Sequence, residues 1–240
     1  YKDYLDLKIN ELVILAGGLA TRMKPVTETI PKSLIEVAGK PFIQLQLELL
    51  KKKGVKKAVI CAGYLGEKIE EFVKDGSRFG IEVKYSFDGE RLLGTGGAVK
   101  NCLSLLCENF FVMYGDSYLN TDFEKINEYY LTEKKQGLMT VLKNEGKWDT
   151  SNIEFDNGKI IDYDKKSKSN KLKYIDYGLG ILSKDAFNDF KEKEVFDLEE
   201  VYRNLLKKNE LSGFEVKERF YEIGSFSGLN DTENFLSNNK

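Results

Sequence analysis

Between Leu12 and Pro41 the chain reads LVILAGGLATRMKPVTETIPKSLIEVAGKP, and its cations are placed for anion chemistry. Arg22 follows the Gly17-Gly18 pair by four residues and Lys32 follows Pro31, so both basic side chains sit on turns that glycine and proline shape. Amides bared by such a loop can cradle an anion. The bland alternative is a glycine turn beside solvated basic residues. Further on, Gly94, Thr95, Gly96 and Gly97 open a predicted helix, where backbone, a hydroxyl and N-terminal donors could meet a ligand, or simply form a turn. Asp116, in Tyr114-Gly115-Asp116-Ser117 at the end of an apolar strand, offers oxygen to a hard dication such as Mg2+, which takes one or two carboxylates plus substrate phosphates. The same aspartate could instead cap the next turn.

The opening loop carries neither G-x-x-x-x-G-K-[ST] nor G-x-G-x-x-G, so it is not an ordinary P-loop or dinucleotide fingerprint. It resembles the signature of the sugar-1-phosphate nucleotidyltransferases. These open with a strand, a Gly-Gly loop carrying Thr-Arg, then Pro-Lys and Lys-Pro, matched here by Gly17, Gly18, Thr21, Arg22, Pro31, Lys32, Lys40 and Pro41. The resemblance implies that Leu15, Ala16, Gly17, Gly18, Thr21, Gly94, Thr95 and Gly96 contact the nucleotide. It gives catalytic work to Arg22, Lys32, Asp116 and Lys165. Asp116 resembles the family aspartate that holds Mg2+, and a second carboxylate comes from an Asp-Ile-Gly or Asp-Thr-Gly segment. Here that segment is Glu222-Ile223-Gly224, one methylene longer. Asp164-Lys165 resembles the Glu-Lys pair that grips the sugar phosphate, although Lys166 and Lys168 make a solvated charge run an alternative. Asp176, Tyr177 and Gly178 match the region where relatives carry Asn-Ala-Gly and bind sugar hydroxyls. Trp148, the one tryptophan, could stack on a sugar or staple a lid.

These residues need elements to hold them. Apolar runs at 12–15, 57–63, 82–87, 109–115 and 137–143 read as strands, and the periodic segments 41–53, 67–74, 97–106 and 123–135 read as helices. Alternating strands and helices predict an α/β fold, Rossmann-like, with a mostly parallel sheet covered by helices on both faces. Ligands then sit at the carboxyl ends of strands, where Gly17 and Asp116 both fall. Apolar runs around Asn157-Gly158 predict a hairpin, part of a small β-rich lid or acceptor-binding insertion. A strand over 174–182, helices over 184–191 and 197–208, a strand pair over 214–223 and a helix over 227–237 complete the expectation. No linker is evident, so 1–240 reads as a single domain, with a nucleotide-binding core at 9–145 and a sugar-phosphate-binding part with closing helices at 146–240.

With 37 basic and 39 acidic side chains, the chain has no electrostatic case for nucleic acid or an anionic membrane. It contains no histidine, which removes Ser-His and Cys-His nucleophiles and imidazole zinc sites. Cys61, Cys102 and Cys107 form no C-x-x-C pair and are expected as buried free thiols. The N-terminal YKDYLDLKIN lacks the apolar core of a signal peptide, so the cytoplasm is the expected compartment; Tyr1 is not a methionine, leaving room for residues upstream. The expected partners are a nucleoside triphosphate and a sugar 1-phosphate, joined with release of pyrophosphate to give a nucleotide sugar for surface polysaccharide. A homo-oligomer stays open. The Leu-Gly-Thr-Gly-Gly-Ala segment looks more like that of heptose 1-phosphate guanylyltransferases than of the thymidylyl group, so GTP is expected ahead of CTP or UTP. The alternative from another class is a regulatory subunit of the same fold that binds nucleotide with little turnover. A dinucleotide-dependent oxidoreductase would need the missing G-x-G-x-x-G.

Overall fold

The computed structural model describes residues 8–18, 26–148, 150–165 and 169–238. Strand β1 (Glu11–Ala16) is fully enclosed at Leu12, Val13 and Ile14, as an unbroken apolar run requires of a strand covered on both faces. A 3-10 turn over Lys32–Leu34 and the short pair β2 (Glu36–Val37) and β3 (Lys40–Pro41) then lead into helix α1 (Phe42–Lys52). Pro41 stands at the helix entrance, where its missing N–H costs nothing, and Lys51 and Lys52 complement the dipole at the exit. Three strand–helix units follow: β4 (Lys57–Ala62) with α2 (Gly66–Val73), β5 (Glu82–Phe87) with α3 (Gly94–Asn101), and β6 (Asn109–Tyr114), short β7 (Ser117–Tyr118) and α4 (Phe123–Glu133). The second half contains β8 (Gly137–Lys143), the hairpin β9 (Ile153–Asp156) and β10 (Lys159–Tyr163), β11 (Tyr174–Ser183), α5 (Leu198–Lys207), β12 (Leu211–Val216), β13 (Tyr221–Glu222) and α6 (Phe226–Asn238).

Nine strands form one sheet along β10-β9-β11-β6-β1-β4-β5, with β8 between β11 and β12. The run β5-β4-β1-β6 is parallel throughout, whereas β11 runs antiparallel to β6 and β8. From β1 the chain builds outward through β4 to β5, then crosses back to lay β6 on the other flank of β1. That reversal opens a crevice beyond the carboxyl ends of β1 and β6. Alternation along β1 divides the core: Leu12 and Ile14 pack with α1, α2 and α4, while Val13 packs with α3 and α5 on the opposite face.

Several sequence expectations shift. The segment 214–223 does not pair with itself: β12 joins β8 in parallel, and β13 crosses over to pair antiparallel with β7. Both partners lie far away in sequence, so local pattern could not disclose them. Residues 184–190 form 3-10 turns in place of an α-helix, and α3 begins at Gly94, three residues earlier than its glycines suggested. Cys61 and Cys102 are buried thiols as expected, but Cys107 is exposed, on the loop whose backbone N–H donates to Glu11 Oε2 (2.6 Å).

Candidate active site

At the crevice, Asp116 follows the end of β6 by two residues and Lys32 arrives on the 3-10 turn beyond β1. Lys32 Nζ donates to Asp116 Oδ2 at 3.0 Å, a contact that leaves both side chains partly open to solvent. Asp116 is held from three directions. Gly115 N–H donates to Leu15 O (2.9 Å), buried Gln46 of α1 donates to Ser117 O (2.8 Å), and Ile223 N–H donates to Asp116 O (2.9 Å). The last bond continues the β7–β13 ladder, in which Glu222 faces Ser117. The ladder therefore delivers a second carboxylate beside the first. A Cβ built on Gly224 would lie 2.8 Å from Glu222 Oε2, 3.0 Å from Asp116 Oδ2 and 3.6 Å from Lys32 Nζ, so the three charged groups surround the space this glycine leaves.

A cleft of about 260 Å³ runs from this cluster along the sheet edge. Leu15, Ala16, Gly17, Gly18, Lys32, Gly94, Thr95 and Asp116, all singled out in the sequence, line it together. Thr21 and Arg22 lie outside the described residues. Lys165 stands behind the wall residue Tyr114, its Nζ 5.8 Å from that ring and 5.9 Å from the ring of Tyr163. Asp176 is gathered there too, accepting from Gly178 N–H (2.9 Å) and Tyr163 OH (3.4 Å). Burial raises the Asp176 carboxyl above the usual range, against the opposing pull of Lys165. Burial likewise raises the Tyr114 phenol.

The sequence profile of the family described as nucleotidyl transferase matches residues 11–239. The chain belongs to the nucleotidyl transferase family. It is 34% identical over 230 residues to the D-glycero-alpha-D-manno-heptose 1-phosphate guanylyltransferase of Campylobacter jejuni, covering 95% of this chain and 100% of that one. It is 29% identical over 225 residues to the N-acetylmuramate alpha-1-phosphate uridylyltransferase of Neisseria meningitidis, covering 92% and 96%. Among solved structures, HddC from Yersinia pseudotuberculosis complexed with GMP-PN superposes with a TM-score of 0.76 at 26% identity, over 95% of this chain and 100% of that one. The resemblance to sugar-1-phosphate nucleotidyltransferases and the Rossmann-like α/β fold are thereby borne out.

Nucleotidyl transferases of the sugar-1-phosphate kind are expected to use a divalent metal, and the donor set fits one. Asp116 and Glu222 present carboxylate oxygens to one space, the donor type a hard cation prefers. Glu222 already accepts from Gly224 N–H and from Ser225 OH (2.6 Å), which fixes its carboxylate in place. No group of three candidate ligands occurs among the described residues, so substrate phosphates would have to complete the coordination.

The glycines of the 94–97 segment serve packing more than the sequence suggested. A Cβ on Gly96 would meet the Phe196 ring at 2.4 Å and one on Gly97 would meet Glu194 O at 2.3 Å, while Gly96 and Gly97 N–H groups donate to Phe196 O. Thr95 Oγ1 accepts from Leu198 N–H (2.8 Å) at the start of α5. Gly94 and Thr95 reach the cleft; Gly96 is buried beside it. Trp148 stands away from the cleft, its ring 4.1 Å from the Arg219 guanidinium, which also covers Tyr221 at 4.8 Å. Trp148 also lines, with Glu222, a second hollow. Asp88 and Asp197, two further acids in the cleft wall, escaped the sequence reading. Asp88 follows the end of a parallel strand, the position where such sheets bind ligands, and that signal was available.

Proposed function

We propose that this chain transfers a guanylyl group from GTP to a sugar 1-phosphate, giving a GDP-sugar for surface polysaccharide in the cytoplasm. The observation that carries the proposal is the Lys32–Asp116 pair, with Glu222 beside it, at the crevice where the strand order reverses. GTP is favoured because the Campylobacter relative is named a guanylyltransferase and the Yersinia structure holds GMP-PN. CTP and UTP are the competing donors. Residues 9–145 supply the nucleotide side and 146–240 the acceptor side.

An oxygen of the sugar phosphate attacks the α-phosphorus in line; the P–O bond to pyrophosphate breaks as the new one forms. No protein base is required, because a phosphate monoester with a second pKa of about 6 is mostly dianionic at neutral pH. This suits a chain without histidine. Catalysis is then positioning and charge neutralisation. Lys32 neutralises the reacting phosphates, Lys165 holds the sugar phosphate, and Arg22 takes the leaving pyrophosphate. Asp176 and Gly178 receive sugar hydroxyls. Asp116 and Glu222 would hold Mg2+, which when bound supplies positive charge to the phosphate oxygens. The Lys32–Asp116 contact argues against a regulatory subunit without turnover, since such a subunit has no need of a paired lysine and acid at the phosphate end. Pyrophosphate release measured across GTP, CTP, UTP and ATP with a panel of sugar 1-phosphates tests the proposal. Release with GTP and one acceptor is expected; no release with any pair would overturn it.

A further inference from the structure

Asp88 has no role in the chemistry above, yet it occupies the far end of the same cleft. Its backbone N–H extends the β5–β4 ladder by bonding Ala62 O (3.1 Å), so its place is set by the sheet. Its carboxylate faces the loop that follows β1: Oδ2 would lie 3.4 Å from a Cβ on Gly17. Among the described residues its one hydrogen bond is a long one from Leu93 N–H (3.3 Å), and no cation pairs with it. Burial raises its carboxyl above the ordinary value, ahead of the opposing effect of that bond. Around it the walls are apolar, formed by Leu15, Cys61, Leu92 and Ala98.

A half-buried acid with no cation partner among the described residues is a liability in a cleft meant for a polyanion, unless the ligand brings N–H donors to it. The phosphate end cannot supply them. Asp116 follows β6 and Asp88 follows β5, three strand steps away, or roughly 14 Å at about 4.8 Å per step. A triphosphate at the Lys32 end therefore directs its base towards Asp88, into a slot with apolar faces. Guanine alone among the common bases carries two adjacent donors, N1–H and the N2 amino group, spaced to meet both oxygens of a carboxylate. Uracil and thymine offer one N–H between two carbonyls; adenine and cytosine offer an amino group beside a ring-nitrogen acceptor. The other acid in the wall, Asp197, closes a capping box with Glu200 at the start of α5 and is committed there.

We propose that Asp88 reads the base: its two oxygens accept N1–H and N2–H of guanine, which selects GTP over ATP, CTP and UTP. The proposal rests on a nucleotide occupying this cleft as described above. Its test is calorimetric binding of GTP, ITP, XTP and UTP to the full chain and to Asp88→Asn. Hypoxanthine lacks the N2 amino group, so the unaltered chain should bind ITP about 10-fold more weakly than GTP, and UTP about 100-fold more weakly or less tightly still. An amide at position 88 still accepts N1–H but presents a donor to carbon 2, which suits the carbonyl of xanthine. Asp88→Asn should accordingly lose about 10- to 100-fold in GTP affinity and gain about 10-fold for XTP, a gain that a misfolded variant could not show. Wild-type ratios among GTP, ITP and XTP in the variant, or equal binding of UTP and GTP by the unaltered chain, would overturn it. The two proposals fail separately. Guanine selection through Asp88 with no pyrophosphate released by any acceptor would sink the transfer and keep the base reading; pyrophosphate release from UTP with Asp88→Asn indifferent would do the reverse.

Discussion

Lys32 and Asp116 are separated by 84 positions and meet at 3.0 Å because Asp116 lies just past the end of β6 and the 3-10 turn that follows the β1 loop brings Lys32 to it. Their ion pair is partly exposed and contributes little to folding, about 0–1 kcal/mol. Lys32→Ala and Asp116→Ala should therefore melt close to the unaltered protein while turnover falls about 100-fold or more, read as pyrophosphate release beside a thermal unfolding curve. Near-normal rates in either variant would remove that residue from the mechanism. Glu222 is the more distinctive acid. The Gly224 and Ser225 bonds go to different oxygens of Glu222, so Glu222→Gln keeps an acceptor for only one of them and removes the charge, and the Mg2+ concentration for half-maximal rate should rise about 10-fold. An unchanged Mg2+ titration would show that Glu222 serves its own turn alone. At this scale the sequence was informative where a motif is contiguous, as at Gly17, Gly18 and Lys32. Asp88 was findable from its place after a parallel strand, whereas Asp197 was not, because its neighbours in the cleft come from strands and helices remote in the chain.

At the scale of elements, α3 and α5 lock together through the glycines that the sequence suggested for ligand contact. Gly97 lies against the carbonyl of Glu194, where a methyl group has no room unless backbone moves. Gly97→Ala should cost about 1–3 kcal/mol in urea unfolding, with weaker nucleotide binding as Gly94 and Thr95 shift with the helix. A variant as stable as the parent would mean that the segment 194–197 yields easily. A glycine cluster tells the reader that something approaches closely, but whether a ligand or a chain segment a hundred residues later does so is decided only in three dimensions. Strand β13 teaches the same lesson: it leaves the main sheet to pair with β7, and that excursion puts Glu222 beside Asp116. By contrast, β1, β4, β6 and β8 were legible almost to the residue, because a strand buried on both faces must be apolar along its length, and the edge strand β5 was legible from its alternation.

Across the whole molecule, the parallel strands are tied at their amino ends as well as at the site. Glu11 of β1 accepts from Lys57 of β4 (3.0 Å) and from the Cys107 N–H ahead of β6 (2.6 Å). Burial of Glu11 pushes its carboxyl upward, but the bonds from Cys107 and Lys57 outweigh it and hold the carboxyl below its ordinary value. A carboxyl lowered on folding stabilises above its unfolded pKa and loses that contribution as the pH falls through the folded one. Glu11→Gln should thus lower stability at neutral pH by about 1–3 kcal/mol and flatten the acid limb of the stability–pH curve, measured by denaturant unfolding from pH 7 to pH 3. Equal slopes on the acid limb would contradict it. Asp88 and Asp176, both raised by burial, act in the other direction: their contribution is complete below the ordinary carboxyl pKa and is lost as pH rises through the folded values. No helix among the described residues is long and apolar enough to cross a membrane. The most direct measurement is to follow label from GTP carrying radioactive α-phosphorus in the presence of Mg2+ and a sugar 1-phosphate. Label should appear in a nucleotide sugar, in proportion to pyrophosphate released and only when acceptor is present; label recovered solely as GTP, or as GMP formed without acceptor, would contradict the account.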